Sequence, residues 1–360
     1  MSECGTVRAK TRVLVVDDSA FMRAALTRMI NCMPDLEVVA SASSGSCALE
    51  KISELDPDVV TLDICMPGLD GLSTLRYIMN DHPRPVIIVS ASSEKGAETT
   101  LSALSAGAFD YVPKSLNPMS LDIMHIQPDL IEKIRAAAQS RAISLHCRKP
   151  PNRVESGVRR RSSVSPQIVV IGVSTGGPKA LEQILPRFSR DFPVPILIVQ
   201  HMPVGFTAPF AERLNNLCSI EVRQPGQGEV VQPGTVYIAP AGLHMRISRR
   251  ASDSKLELWL DSQPGDSQHI PSIDILMNSV AQVFHNRVVG VIMTGMGSDG
   301  AQGISAIFRS GGLTIGQDEA SCAVFGMPRV CSELGVLSRM APLCDIPRQI
   351  IQATRCRKQA

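Results

Sequence analysis

Short continuous apolar runs recur along the chain, separated by stretches in which apolar residues fall three or four positions apart. Val13-Leu14-Val15-Val16 is the first run, and its β-branched content fits a strand buried on both faces. Periodic apolar positions from about Ala20 to Met33 predict a helix directly after it. Val38-Val39-Ala40, Val59-Val60-Thr61-Leu62, Val86-Ile87-Ile88-Val89 and Phe109-Asp110-Tyr111-Val112 predict four more strands, with helices at about 46–55, 71–80 and 96–106. An amphipathic stretch at about 128–142 predicts a closing helix. Five β/α units with apolar strands predict an α/β fold, a doubly wound five-stranded parallel sheet.

The second half resumes the alternation. Strands are predicted at 168–173, 195–200, 235–239 and 288–293, with another near 313–316. Met245–Ser248 and Leu256–Leu260 flank a polar connection, Arg249 to Lys255, which predicts a β-hairpin inserted in a doubly wound, mostly parallel α/β domain. Between the halves the pattern stops. From His146 to Arg161 there are six Lys/Arg against the single acid Glu155, with Pro150, Pro151, Gly157 and Ser162-Ser163 breaking any period. That composition reads as a solvated linker. The expected domains are residues 10–130, a helix end with the basic linker at 131–165, and residues 166–358.

At 360 residues, 44% hydrophobic and 19% charged, the chain has the make-up of a soluble two-domain protein. A net charge of +2 and 4% aromatic residues argue against a nucleic-acid-binding surface. There is no apolar run of about 18 residues, hence no expected membrane insertion. Met1 to Gly5 lacks the pattern of a signal peptide, and the ten cysteines form no C-x-x-C pair. A reducing, cytoplasmic location is expected.

Chemistry concentrates at strand ends. Asp17-Asp18 closes the first predicted strand and Asp63 the third, and a parallel sheet brings such C-terminal ends to one edge. Three carboxylates in apolar surroundings call for a hard cation, and Mg2+ suits them. Ser90 and Lys114 end the fourth and fifth strands on the same edge, where a hydroxyl and an ammonium can hold a phosphoryl group on Asp63. A lone acid at a strand end serves equally well as a helix cap, but this set of five falls at the right ends together.

Residues 12–118 resemble a response-regulator receiver domain, through Val15-Val16-Asp17-Asp18-Ser19, Leu62 to Gly71, Ser90-Ala91 and Val112-Pro113-Lys114. The resemblance implies that Asp63 accepts phosphate from a chemotaxis histidine kinase. It implies Mg2+ on Asp17, Asp18, Asp63 and the Cys65 carbonyl, with Ser90, Tyr111 and Lys114 as switch residues. Ser115 departs from the pattern, since such domains usually carry proline after the lysine.

In the second half, Gly172-Val173-Ser174-Thr175-Gly176 comes after an apolar run and precedes Gly177-Pro178, where a helix can start. Such a turn suits a serine nucleophile and also a phosphate cradle. His201 comes after the strand ending at Gln200, and Asp299 after Val288–Met293 through a glycine-rich turn, so base and acid leave the same sheet edge as Ser174. Each residue alone fits a turn, a structural histidine or a cap; together they read as a triad. Gly295-x-Gly297-x-x-Gly300, with Asp318-Glu319 downstream, also fits a dinucleotide fingerprint. The Asp299 carboxylate within that turn opposes a pyrophosphate, and the fingerprint is rejected.

Residues 166–355 resemble the catalytic domain of the bacterial chemotaxis protein-glutamate methylesterases. The resemblance rests on Ile171 to Pro178, Gln200-His201-Met202-Pro203, Val236 to Pro240, Pro271-Ser272-Ile273-Asp274 and Thr294 to Gly300. Ile270, after His269, departs where such enzymes often carry arginine. The resemblance implies hydrolysis of glutamate 5-methyl esters on methyl-accepting chemoreceptors, and deamidation of receptor glutamines, for chemotactic adaptation. Ser174, His201 and Asp299 would be catalytic, with backbone N–H groups at Thr175 to Gly177 or at Met296 as the oxyanion hole and no cofactor in this half. Joining the halves implies gating, with the unphosphorylated receiver blocking the Ser174 edge. A regulatory binding protein, switched by the receiver and using no Ser174 chemistry, is the alternative from another class.

Overall fold

The computed structural model describes residues 10–91, 94–114, 125–146, 166–250, 252–262 and 269–355. The chain divides into two compact units, Met1–Pro150 and Pro151–Ala360. Met1 to Gly5, Ser115 and the linker positions 147–165 lie outside the described residues.

The first unit runs β1 (Thr11–Val16), α1 (Ala20–Asn31), β2 (Leu36–Ala42), α2 (Gly45–Leu55), β3 (Val59–Leu62), α3 (Gly71–Asp81), β4 (Val86–Ala91), α4 (Glu94–Ser105), β5 (Asp110–Lys114) and α5 (Gln127–His146). Its five strands are parallel in the order β2-β1-β3-β4-β5. Val13 to Val16 and Val59 to Leu62 are almost wholly buried, which is why these runs are apolar except for Thr61. The chain reverses its winding between β1 and β3, so their C-terminal ends open a crevice. Helix starts are set by side-chain caps: Ser19 Oγ accepts from Met22 N at 3.4 Å and Asp70 Oδ1 from Ser73 N at 2.7 Å. The expected domain limit at 130 falls inside α5. Ile131, Ile134 and Ala137 belong to the same core as Val13, Val15, Ile87 and Val89, so the helix continues the unit to His146.

The second unit contains β6 (Ile168–Val173), α6 (Gly177–Ile184), β7 (Ile196–Gln200), α7 (Thr207–Leu217), β8 (Glu221–Arg223), β9 (Glu229–Val230), β10 (Thr235–Ile238), β11 (His244–Arg249) and β12 (Leu256–Asp261). It continues with α8 (Ile273–Phe284), β13 (Val288–Ile292), α9 (Ala301–Arg309), β14 (Leu313–Gln317), α10 (Met327–Glu333), β15 (Arg339–Ala341) and α11 (Ile346–Arg355). Seven strands form a parallel sheet in the order β15-β14-β13-β6-β7-β10-β8. β11 and β12 pair antiparallel, as the hairpin reading expects, but with β9 they make a separate three-stranded sheet. The sequence pattern does not reveal β8 and β15, three-residue edge strands with exposed positions that carry little periodicity.

β6 lies at the centre, between β7 and β13. Ser174, His201 and the Asp299 turn therefore leave three adjacent parallel strands at one edge.

Candidate active site

The turn after β6 is built by backbone contacts. Ser174 N donates to Thr294 O at 3.0 Å and Gly177 N to Ser174 O at 2.8 Å. Gly176 has φ +74°, and a Cβ there would lie 2.4 Å from Ala323 Cβ, so only glycine fits both backbone and space. Thr294 Oγ1 donates to Thr175 O at 2.9 Å and ties the turn to the strand end of β13.

His201 Nδ1 lies 3.2 Å from Ser174 Oγ, and His201 Nε2 lies 2.8 Å from Asp299 Oδ2. The three residues read from sequence as nucleophile, base and acid are thus brought together in series. Asp299 is held by more than the histidine. Oδ2 accepts from Ile273 N at 2.8 Å, and Oδ1 accepts from Asp274 N and Ser272 Oγ, both at 3.0 Å. Burial works against its charge, but the His201 contact and these N–H donors outweigh it and bring its pKa down to about 2. An ionised Asp299 favours the proton on Nε2, which leaves Nδ1 as acceptor toward Ser174.

The same contacts dispose of the dinucleotide fingerprint. Asp299 caps the N-terminus of α8 from within the turn, and Asp318 accepts from its local neighbour Ser321, at N (3.1 Å) and Oγ (2.6 Å). Of the candidate oxyanion donors, Gly177 N–H is spent on Ser174 O. Thr175 and Met296 N–H make no backbone hydrogen bond among the described residues.

Two supports escaped the sequence reading. Gln200, the buried last residue of β7, donates through Nε2 to Ser174 O and His201 O, both at 3.0 Å, bracing nucleophile and base with one amide. A polar residue closing the run Ile196-Leu197-Ile198-Val199 was the available signal. His269 stacks on His201, with ring centroids 4.2 Å apart.

In the first unit, Asp17, Asp18 and Asp63 offer carboxylate oxygens within 4.8 Å of one another. Lys114 Nζ lies 2.7 Å from Asp17 Oδ2 and 2.7 Å from Asp63 Oδ2. Burial opposes the Lys114 charge, but the Asp63 charge and the contacts with both aspartates prevail, and its pKa lies above the ordinary lysine value. Burial, reinforced by the Asp63 charge, raises the Asp17 carboxyl against the lowering influence of Lys114. Three carboxylates and one ammonium leave two negative charges on hard oxygen donors, and that set fits a divalent cation such as Mg2+. Exposed Cys65 donates its N–H to Asp63 Oδ1 at 3.1 Å, wrapping the loop around Asp63. Ser90 and Tyr111 are buried in β4 and β5, and the Lys133 ammonium of α5 donates to Tyr111 O at 2.7 Å and sits 5.3 Å from the ring centre. No helix among the described residues is long and apolar enough to cross a membrane.

Comparison with known proteins agrees with this division. The CheB methylesterase family model matches residues 169–350, and the response regulator receiver domain model matches residues 13–124. A protein-glutamate methylesterase/protein-glutamine glutaminase of Nitratidesulfovibrio vulgaris is 43% identical, over 94% of this chain and 98% of its own length. One from Halalkalibacterium halodurans is 43% identical over 96% and 99%. The crystal structure of the Thermotoga maritima CheB methylesterase catalytic domain is 39% identical with a TM-score of 0.50, over 52% of this chain and 99% of that one.

Proposed function

This chain belongs to the CheB methylesterase family, and we propose that Ser174, His201 and Asp299 carry its protein-glutamate methylesterase and protein-glutamine glutaminase reactions. The observation that carries this reading is the seat of His201 between Ser174 Oγ at 3.2 Å and Asp299 Oδ2 at 2.8 Å.

Ser174 Oγ attacks the ester carbonyl carbon of a chemoreceptor glutamate 5-methyl ester while its proton passes to His201 Nδ1. The oxyanion of the tetrahedral intermediate takes hydrogen bonds from Thr175 and Met296 N–H. The carbonyl–methoxy bond breaks, and His201 returns the proton to the methoxy oxygen, which departs as methanol. Water then attacks the acyl-serine carbonyl with His201 as base, and the C–Oγ bond breaks to give free glutamate and Ser174 hydroxyl. Asp299 stays ionised and steadies the imidazolium at both stages. With a receptor glutamine the route is the same and ammonia leaves. On this reading the enzyme works in the cytoplasm, on cytoplasmic segments of receptors.

Residues 10–146 are assigned to control. Asp63 accepts a phosphoryl group from a histidine kinase. Asp17, Asp18, Asp63 and the Cys65 carbonyl would hold Mg2+, whose charge offsets that of acceptor and phosphoryl oxygens when bound. Lys114 and Ser90 then face the phosphoryl oxygens, and Tyr111 carries the change outward, raising the hydrolase activity of residues 166–358.

A fluorophosphonate probe tests the nucleophile: one adduct, mapped by peptide mass spectrometry to Ser174, is expected. An adduct on another residue alone contradicts the assignment.

A further inference from the structure

The two helices that flank Asp299 cap each other. Asp299, just ahead of α9, accepts the N–H groups of Ile273 and Asp274 at the start of α8. Asp274, in the first turn of α8, accepts the N–H of Gly303 in the first turn of α9 through Oδ1 at 2.7 Å. Each carboxylate thus neutralises the exposed donors and positive end of the other's helix. The approach is close. A Cβ on Gly303 would lie 2.4 Å from Met277 Cβ and 3.4 Å from Asp274 Cα, so glycine is what lets α9 come near enough for the Asp274 bond.

This exchange bears on the triad because Asp299 has little freedom of its own. The atom that meets His201, Oδ2, is also the atom that accepts Ile273 N, while Oδ1 is bonded to Asp274 N and Ser272 Oγ. A slip of α9 against α8 therefore changes where Oδ2 meets the imidazole. Asp274 is the acid that ties those helices from the α8 side.

We propose that Asp274 is a positioning residue of the esterase site, holding α8 and α9 in the register that aims Asp299 at His201. The inference rests on the triad reading of Ser174, His201 and Asp299. Asp274 touches neither substrate nor reacting atoms.

Asp274 also sets a charge behind the triad. Burial, with a smaller contribution from the Asp299 charge, pushes its carboxyl up to about 6, although the N–H donors of α9 pull the other way. The other titratable group acting on it is Asp299, and the Cys331 thiol of α10, which burial and then the Asp274 charge push up to about 12, stays neutral. At pH 7 Asp274 is mostly ionised. Replacing it by asparagine removes the charge while keeping an oxygen for Gly303 N–H.

The test compares Asp274→Ala, Asp274→Asn and Ser174→Ala in the full chain, by initial rates of methanol release from methylated receptor membranes across pH 5 to 9. Misplacement of the acid in Asp274→Ala is expected to lower kcat by about tenfold to a hundredfold with little change in KM. Asp274→Asn is expected to recover most of kcat. It should also move the acid limb of the kcat/KM profile to lower pH, since the imidazolium formed at His201 has one anion fewer behind it. A wild-type kcat and an unmoved acid limb in Asp274→Asn and Asp274→Ala overturn the positioning role. Should Asp274→Ala fail to fold, Asp274→Glu, which keeps the charge but carries the carboxylate one methylene further from its place against Gly303 N–H, decides instead: a lowered kcat with little change in KM is expected, and a wild-type kcat overturns the role. Activity persisting in Ser174→Ala instead overturns the triad reading, whatever the Asp274 variants do.

Discussion

Asp299 holds His201 by Nε2, at 2.8 Å, so the nitrogen that faces Ser174 Oγ is Nδ1. In the familiar serine-protease arrangement the two ring nitrogens play the opposite parts. Here burial opposes the charge of the acid, but the His201 contact, helped by N–H donors from the α8 N-terminus, keeps it ionised to about pH 2. A negative Oδ2 then selects the tautomer with hydrogen on Nε2 and a lone pair on Nδ1. Base and orienter are fixed by one contact.

Asp299→Asn tests that selection. The amide offers N–H donors to Nε2 and favours the reversed tautomer, with hydrogen facing the serine. The expected loss in kcat is on the order of 10³ to 10⁴-fold, with fluorophosphonate labelling of Ser174 slowed in parallel. Loss of kcat smaller than tenfold contradicts the tautomer argument.

Gln200→Leu should uncouple the brace between nucleophile and base. The Ser174 and His201 carbonyls lose a shared buried donor, which costs about 1–3 kcal/mol of stability. A lowered urea midpoint and a reduced kcat are expected together. An unchanged midpoint would show that the two carbonyls find other donors.

The two carboxylates of the helix exchange predict opposite acid responses. Asp274 has a folded pKa of about 6 against 3.8 when unfolded, so the fold binds its proton more tightly and gains stability as pH falls from 6 toward 4. Asp299 has about 2 against 3.8, so its contribution, about 2 kcal/mol, is complete above pH 4 and is lost as pH falls toward 2. Thermal melts of wild type should therefore rise relative to Asp274→Asn between pH 6 and 4. Below pH 4 they should fall relative to Asp299→Asn. Parallel curves across both windows contradict these assignments.

Control by Asp63 is tested with a small-molecule phosphodonor and Mg2+. Full-length protein should become labelled and release methanol faster, and Asp63→Asn should do neither while keeping its basal rate. Chelating the divalent cation should abolish labelling in the wild type. Labelling of Asp63→Asn would place the phosphoacceptor elsewhere.

Much of this arrangement was legible in sequence because its polar residues end apolar strands. Val13-Leu14-Val15-Val16 before Asp17, and Ile196 to Val199 ahead of His201, are short β-branched-rich runs that fit a buried parallel strand. A parallel sheet then gathers the polar residues behind those runs at one edge. The hidden features depend on facing elements rather than on period. The choice of Nδ1 over Nε2 is set by α8, whose N-terminus reaches Asp299 across 25 residues of sequence. The brace by Gln200 is invisible because a glutamine at a strand end looks like any polar boundary. Asp274 was visible only as part of Pro271-Ser272-Ile273-Asp274, and its bond to Gly303 spans two helices. β8 and β15 are too short for alternation to register. The closing helix expected at about 128–142 is α5, and what the sequence hides is that its Ile134 and Ala137 join a core assembled from distant strands.

Methanol release from methylated receptor membranes, compared between wild type and Ser174→Ala with folding checked by circular dichroism, tests the central claim most directly. The account predicts release by the wild type and none above background by the folded variant. Release by Ser174→Ala at the wild-type rate would contradict it.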